Sequence, residues 1–107
     1  LSVRVAIAAA AERDLDGIVA RVSEDSGAVA ALRLEDRLLQ RCATLASFPH
    51  RGNVPPELLE TGERGWREIH EPPYRIVYRV AGDVVVVALI ADARRDVRAL
   101  LAERLLR

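Results

Sequence analysis

The chain has 107 residues, enough for one domain, and half of them are apolar, so a core can form without disulfides. Cys42 is the only cysteine, which rules out an internal disulfide and fits a reducing, cytoplasmic setting. Sixteen arginines balance 16 acidic residues with no lysine, and a net charge of zero argues against indiscriminate nucleic-acid binding. No apolar run is long enough to span a membrane, and the opening segment lacks the basic start of a signal peptide.

In chain order, VRVAIA (Val3 to Ala8) alternates weakly and predicts a first strand. Leu15, Ile18, Val19 and Val22 then recur at helical spacing, and Gly27 ends that helix. A second helix is expected from about Ala28 to Ser47, with Leu34, Leu38, Cys42 and Leu45 as its apolar stripe. The short link between the two predicts an antiparallel helical hairpin. Residues 48–65 hold three prolines and three glycines and read as a long loop, with one helical turn at Glu57 to Leu59.

Three strands follow, WREIH, YRIVYRV and DVVVVALIA, separated by EPP and by a hairpin turn centred on Gly82. Connections this short predict antiparallel pairing, and the last strand is apolar at nearly every position, as expected of one covered on both faces. Alternation places Tyr74, Ile76 and Tyr78 toward the helices and Arg75 and Arg79 away from them. The tail carries a stripe of Val97, Leu100, Leu101 and Leu105 with arginines off it. The result is one α+β domain over 1–107, β-α-α-β-β-β-(α), a helical hairpin on a small, mostly antiparallel sheet.

The segments AAAERDLDGIV, LASFPHRGNVPPEL, GERGWREI, YRIVYRV and ARRDVRALL, in this order and at this length, resemble the RelE/ParE superfamily of bacterial toxins. The resemblance covers nearly the whole chain and lies closer to the ParE branch. It implies a small toxin neutralised by a cognate antitoxin, with operator DNA reached only through that antitoxin. Its branches imply different targets. ParE-type members act on DNA gyrase by protein binding; ribosome-dependent members cleave mRNA, using the 2′-hydroxyl as nucleophile.

On the nuclease branch, Arg75 and Arg94 match arginines that act on the scissile phosphate. Other positions depart from it: Trp66 and Glu68 stand where a lysine pair falls, Leu100 where the catalytic tyrosine falls, and Asp92 where many relatives have His. An acid beside Arg94 weakens its hold on phosphate by pairing with it. The chemistry needs a base, an acid and stabilisation of the phosphorane, and arginine is suited only to the last. His50, His70, Glu68, Glu71, Asp92 and Tyr74 are the remaining proton carriers, and no cluster of them stands out.

The expected activity is therefore gyrase inhibition, with mRNA cleavage by a reduced site as the alternative. Target-contact candidates are Arg75, Arg79, Arg94, Arg95 and Arg98. Antitoxin-contact candidates are Leu15, Val19, Leu100 and Leu101, in the hairpin groove and tail, together with part of the sheet edge. A plain structural reading of Arg75 and Arg79 stands beside these: pairing with Glu68 or Glu71 across strands, at roughly 0.2–1 kcal/mol per pair. Cys42 reads as a core thiol and Trp66 as a core residue or a partner anchor. The sequence offers no zinc-ligand set, no phosphate-cradling glycine motif, and so no cofactor or metal.

Overall fold

A computed structural model describes residues 3–106. The element order is β1 (Arg4–Ile7), α1 (Ala9–Ser26), α2 (Ala28–Ala43), α3 (Pro56–Leu59), β2 (Arg67–Glu71), β3 (Tyr74–Ala81), β4 (Val84–Asp92) and α4 (Val97–Leu105). The strands form one sheet in the order β1-β4-β3-β2, antiparallel except where β1 runs parallel beside β4. This is the expected α+β architecture.

Gly27 makes the hairpin corner. At φ 92° it ends α1, donating its N–H to the Ser23 carbonyl, and its own carbonyl accepts from Ala31 at the start of α2. An L side chain rarely adopts that φ, so glycine is the residue for a turn this tight. The second helix stops four residues before the expected Ser47. Past Ala43 the chain tightens into a 3₁₀ turn, Thr44–Ala46, where the Thr44 hydroxyl donates to the Arg41 carbonyl and Leu45 stays fully buried. The helical turn foreseen at Glu57 to Leu59 is α3, opened by Pro56.

Two apolar layers sandwich the sheet. On the hairpin side, Leu15, Ile18, Leu34, Leu38, Cys42 and Leu45 pack on Ile69, Tyr74, Ile76, Tyr78, Val85, Val87 and Ile90. On the opposite face, Leu58 from α3 and Val97 and Leu101 from α4 cover Val77, Leu89 and Ala91. The tail stripe thus packs on the sheet.

A bulge explains how β4 serves both layers without clean alternation. Val77 pairs with Leu89 but Tyr78 with Val87, leaving Ala88 unopposed. Val85 and Val87 precede it on the hairpin side; beyond it, Ile90 takes that side while Leu89 and Ala91 turn to α4.

Candidate functional site

β3 presents Arg75, Val77 and Arg79 on the face away from the helical hairpin, as alternation predicts. On β2, Glu68 and His70 share that face, because Glu68 pairs with Val77 and His70 with Arg75. The loop before β2 folds back so that α3 delivers Glu57 to the same place. Arg75 donates Nη1 and Nη2 to the two carboxylate oxygens of Glu57 at 2.8 and 2.7 Å, and Nε to Glu68 Oε1 at 2.6 Å. Asn53 Nδ2 donates to the other Glu68 oxygen at 3.0 Å. Glu68 is 2% exposed and the Arg75 side chain 12%.

One guanidinium therefore lies between two carboxylates, and the group carries a net negative charge. The bidentate hydrogen bonds from Arg75 hold the Glu57 carboxyl down at about 2, well below its usual range. The same pairing, Glu57 first and Glu68 second, pushes the Arg75 guanidinium further up. An incoming phosphate would have to displace both carboxylates from Arg75 and would meet their charge as it approached. What this cluster does as built is fasten residues 53–57 to the sheet.

Arg94 is also paired. Its side chain donates to both oxygens of Asp92 at 2.9 and 2.6 Å, and its backbone N–H adds a third bond. Those bonds lower the Asp92 carboxyl to about 2 and raise Arg94. Unlike Arg75, Arg94 is 75% exposed, so a ligand can reach it. Arg95 is exposed beside it and lines a small cavity with Arg21, Arg94 and Tyr74. Arg98 donates to Glu60 at 2.6 Å across the surface. Arg79 lies over the ring of Trp66, 5.6 Å from its centroid, and pairs with neither Glu68 nor Glu71. Glu71 faces Arg37 and Arg41 of α2 instead.

The proton carriers are scattered. Tyr74 is buried in the hairpin-side layer, on the other face of the sheet from Arg75. His50 is exposed in the loop, where its carbonyl accepts from Arg67. His70, half exposed, is the one imidazole near the cluster, with Nε2 3.7 Å from Glu68 Oε1. Among the antitoxin-contact candidates, Leu15 and Leu101 are buried in the chain's own two layers, whereas Val19 and Leu100 keep exposed surface. Val19, Ala20, Ala28 and Leu32 line an apolar furrow between α1 and α2, with Val29 (63% exposed) and Leu32 (62%) standing out of α2.

Sequence reading named Glu68 as a partner of Arg75 but missed Glu57. The available signal was an acid in the first turn of a proline-opened helix, PPEL. It also missed Asp14 and Arg104, which bind each other across the fold. Among the described residues no group of three His, Cys, Asp or Glu side chains is arranged to hold a metal, and no helix is long and apolar enough to cross a membrane.

Residues 5–97 match the family described as ParE toxin of type II toxin–antitoxin system. Nothing among curated proteins matches. Solved structures do. A chromosomal ParDE toxin–antitoxin system from P. aeruginosa superposes with a TM-score of 0.72 at 19% identity, over 85% of this chain and 96% of that one. The RelBE2 toxin–antitoxin complex from Mycobacterium tuberculosis gives 0.63 at 20% identity, over 86% and 99%. A RelE double mutant from E. coli in the free state gives 0.61 at 13%, over 94% and 93%. At these identities the likeness is one of fold.

Proposed function

Because this chain belongs to the ParE toxin family of type II toxin–antitoxin systems, we propose that it acts by binding a protein target, DNA gyrase, and that a cognate antitoxin neutralises it. The observation carrying this reading is the state of Arg75. In a nuclease that residue must meet a phosphate, and here Glu57 and Glu68 occupy all three of its donor nitrogens. Of the proton carriers the sequence offers, Asp92 and Glu71 face arginines and Tyr74 lies across the sheet, which leaves the His70 imidazole, 3.7 Å from Glu68 Oε1, as the one near it. Activity by contact rather than chemistry is what such a surface supports.

The antitoxin covers the furrow between α1 and α2. Val19, Ala28 and Leu32 line it, and Leu32 and the nearby Val29 of α2 are 62% and 63% exposed. Burying such a furrow under an amphipathic helix is a recurrent mode of recognition.

The alternative, mRNA cleavage on the ribosome, draws on Arg94 and Arg95, which remain exposed near the end of β4. Two assays separate the readings. Purified protein is expected to inhibit supercoiling by gyrase at stoichiometric concentration and to leave mRNA intact on translating ribosomes. Cleavage in the decoding site with gyrase unaffected would overturn the proposal.

A further inference from the structure

Beyond Val87 the outer side of β4 has no strand beside it, because β1 ends there. Side chains take over part of that edge: Asp14 accepts the Ile90 N–H at 3.0 Å and Arg104 donates to the Ala88 carbonyl at 2.8 Å. Alternation turns the Asp92 N–H to the same side as the Ile90 N–H, where no strand is left to take it. A cavity of about 130 Å³ opens here, between α1, the start of β3 and the end of β4. It lies on the hairpin side of the sheet, across from the Arg75 cluster.

Ile18, Val22, Ile90 and Ala91 give the cavity an apolar wall. Tyr74 closes one side. It is 8% exposed, and its hydroxyl has no hydrogen-bond partner among the described residues, yet is not sealed from solvent. The hydroxyl therefore opens on the cavity, near Arg94. Buried polar groups are almost always bonded, so one left open in a cavity points to a ligand. The lining charges do not balance once the internal pairs are set aside. Asp14 is held by Arg104 and Asp92 by Arg94. Arg21 and Arg95 have no ion-pair partner among the described residues, and neither has Asp25. Two uncommitted cations thus face one uncommitted acid, and the cavity lacks a single negative charge.

We infer that this cavity is a binding site for one carboxylate group carried on a short apolar stem. Arg21, the Tyr74 hydroxyl and the Asp92 N–H donate to its oxygens, a guanidinium being the natural fork for a carboxylate. The stem lies on Ile18, Val22 and Ala91. A phosphate monoester is close to doubly charged at neutral pH, so it overshoots the missing charge and meets three aspartates. The volume is near that of a cavity that takes up benzene. It admits a short-chain acid and excludes a nucleotide. A free short-chain acid and a polypeptide C-terminus ending in a small apolar residue present the same chemistry here. The site is separate from the furrow between α1 and α2, because Ile18, Arg21 and Asp25 lie on a different face of α1 from Val19, Ala20 and Ser23. It is also independent of which target the protein acts on.

The test is an NMR titration of the isotope-labelled protein. Sodium butyrate is expected to shift the Asp92 amide and the Tyr74 ring signals saturably, and butyramide and inorganic phosphate are not. Arg21→Gln and Tyr74→Phe are each expected to weaken binding roughly tenfold, the loss of one hydrogen bond to a charged group. Both variants should fold, since Arg21 is exposed and the Tyr74 hydroxyl has no partner within the described chain. A second arm uses N-acetyl-alanyl-valine and its C-terminal amide. Tighter binding of this acid than of butyrate assigns the site to a chain terminus, and otherwise the free short-chain acid is the ligand; either supports the inference. Saturation by neither acid, equal shifts from acids and amides, tighter binding of phosphate, or both variants binding as the parent does overturns it.

Discussion

Asp14 and Arg104, ninety residues apart, form a two-pronged ion pair at the place where β4 has lost its neighbour. β1 ends opposite Val87, and the bulge leaves the Ala88 carbonyl without a strand partner. Arg104 donates to that carbonyl at 2.8 Å, while Asp14 accepts the Ile90 N–H at 3.0 Å. The pair thus replaces the missing strand with side chains, and it ties α1, β4 and α4 together. Removing Arg104 leaves a carboxylate and a carbonyl uncompensated in a part-buried site, and hydrogen bonds to charged groups contribute about 1.5–3 kcal/mol each. Arg104→Ala is expected to lower unfolding free energy by about 2–3 kcal/mol and to speed amide exchange across α4. Arg104→Lys recovers only part, since one ammonium cannot reach Asp14 and Ala88 in the same fork geometry. Urea titrations of the two variants check both statements.

A second close approach fixes the loop over β2. A Cβ on Gly52 would sit 2.5 Å from the Glu68 carbonyl oxygen and 2.8 Å from the Tyr78 hydroxyl, and the Gly52 N–H donates to that hydroxyl at 3.0 Å. Gly52→Ala is expected to destabilise by about 1–3 kcal/mol, the usual cost of forcing an extra carbon into a packed site. Tyr78→Phe leaves the buried N–H unsatisfied, at about 1–3 kcal/mol. Because both act on one contact, the double variant should cost less than the sum.

Cys42 provides a reporter for global opening. It is 2% exposed, and burial pushes its thiol up to about 11, so little thiolate forms near neutrality. Alkylation at pH 8 is expected to be at least a hundredfold slower in the native protein than in 8 M urea. A fast native reaction would mean that α2 opens locally.

The contrast between what the sequence disclosed and what it hid follows from range. The hairpin, the Gly82 turn and the outward Arg75 and Arg79 depend on spacing within one element or two adjacent ones, and each is where alternation puts it. The end of α2 slipped because Leu45 keeps the apolar stripe going through a 3₁₀ turn that burial alone does not distinguish from helix. The partners Glu57 and Asp14 were hidden because they reach Arg75 and Arg104 only through tertiary folding, Glu57 from the single turn of α3 and Asp14 from the far end of the chain. The bulge at Ala88 was equally silent: in a strand apolar throughout, no change of pattern marks a change of face. For the candidate site, Arg75 and its partner Glu68 could be named from sequence among five candidate arginines, but the second carboxylate, Glu57, is brought to Arg75 only by the fold.

Acid should loosen both the Arg75 cluster and the Asp92–Arg94 pair. The folded-state carboxyls of Glu57 and Asp92 both lie at about 2, below the values of about 4.3 and 3.9 ordinary for free side chains. In this window the unfolded chain binds more protons than the folded one, so stability rises with pH. The contribution is fully present above about pH 5 and is lost as pH falls toward 2. Glu57→Gln is expected to flatten that part of the stability profile. The Asp92 share rests on a largely exposed partner, so about 1 M NaCl should reduce it, where the Glu57 share persists. Denaturant midpoints at pH 3 and pH 6, with and without salt, separate the two.

Arg75→Ala tests whether the cluster is a fastening. Truncation strands Glu68, 2% exposed, with Asn53 as its one remaining hydrogen-bond donor, and frees Glu57 to swing out with α3. Breaking one side of a buried pair costs about 3–5 kcal/mol, because a buried charge is left uncompensated. Arg75→Ala is therefore expected to destabilise by about 3 kcal/mol and to raise exchange over residues 53–59. Replacing both charges, Arg75→Met with Glu68→Gln, removes the stranded charge and is expected to recover at least half of that loss. If the Ala variant keeps full stability and the loop stays protected, Arg75 is not a fastening, and its pairing with Glu57 gives way readily enough for a ligand to compete. If the double variant recovers stability and behaves as the parent protein does in the gyrase assay, the charge of Arg75 serves the fold and is not needed for contact with a target.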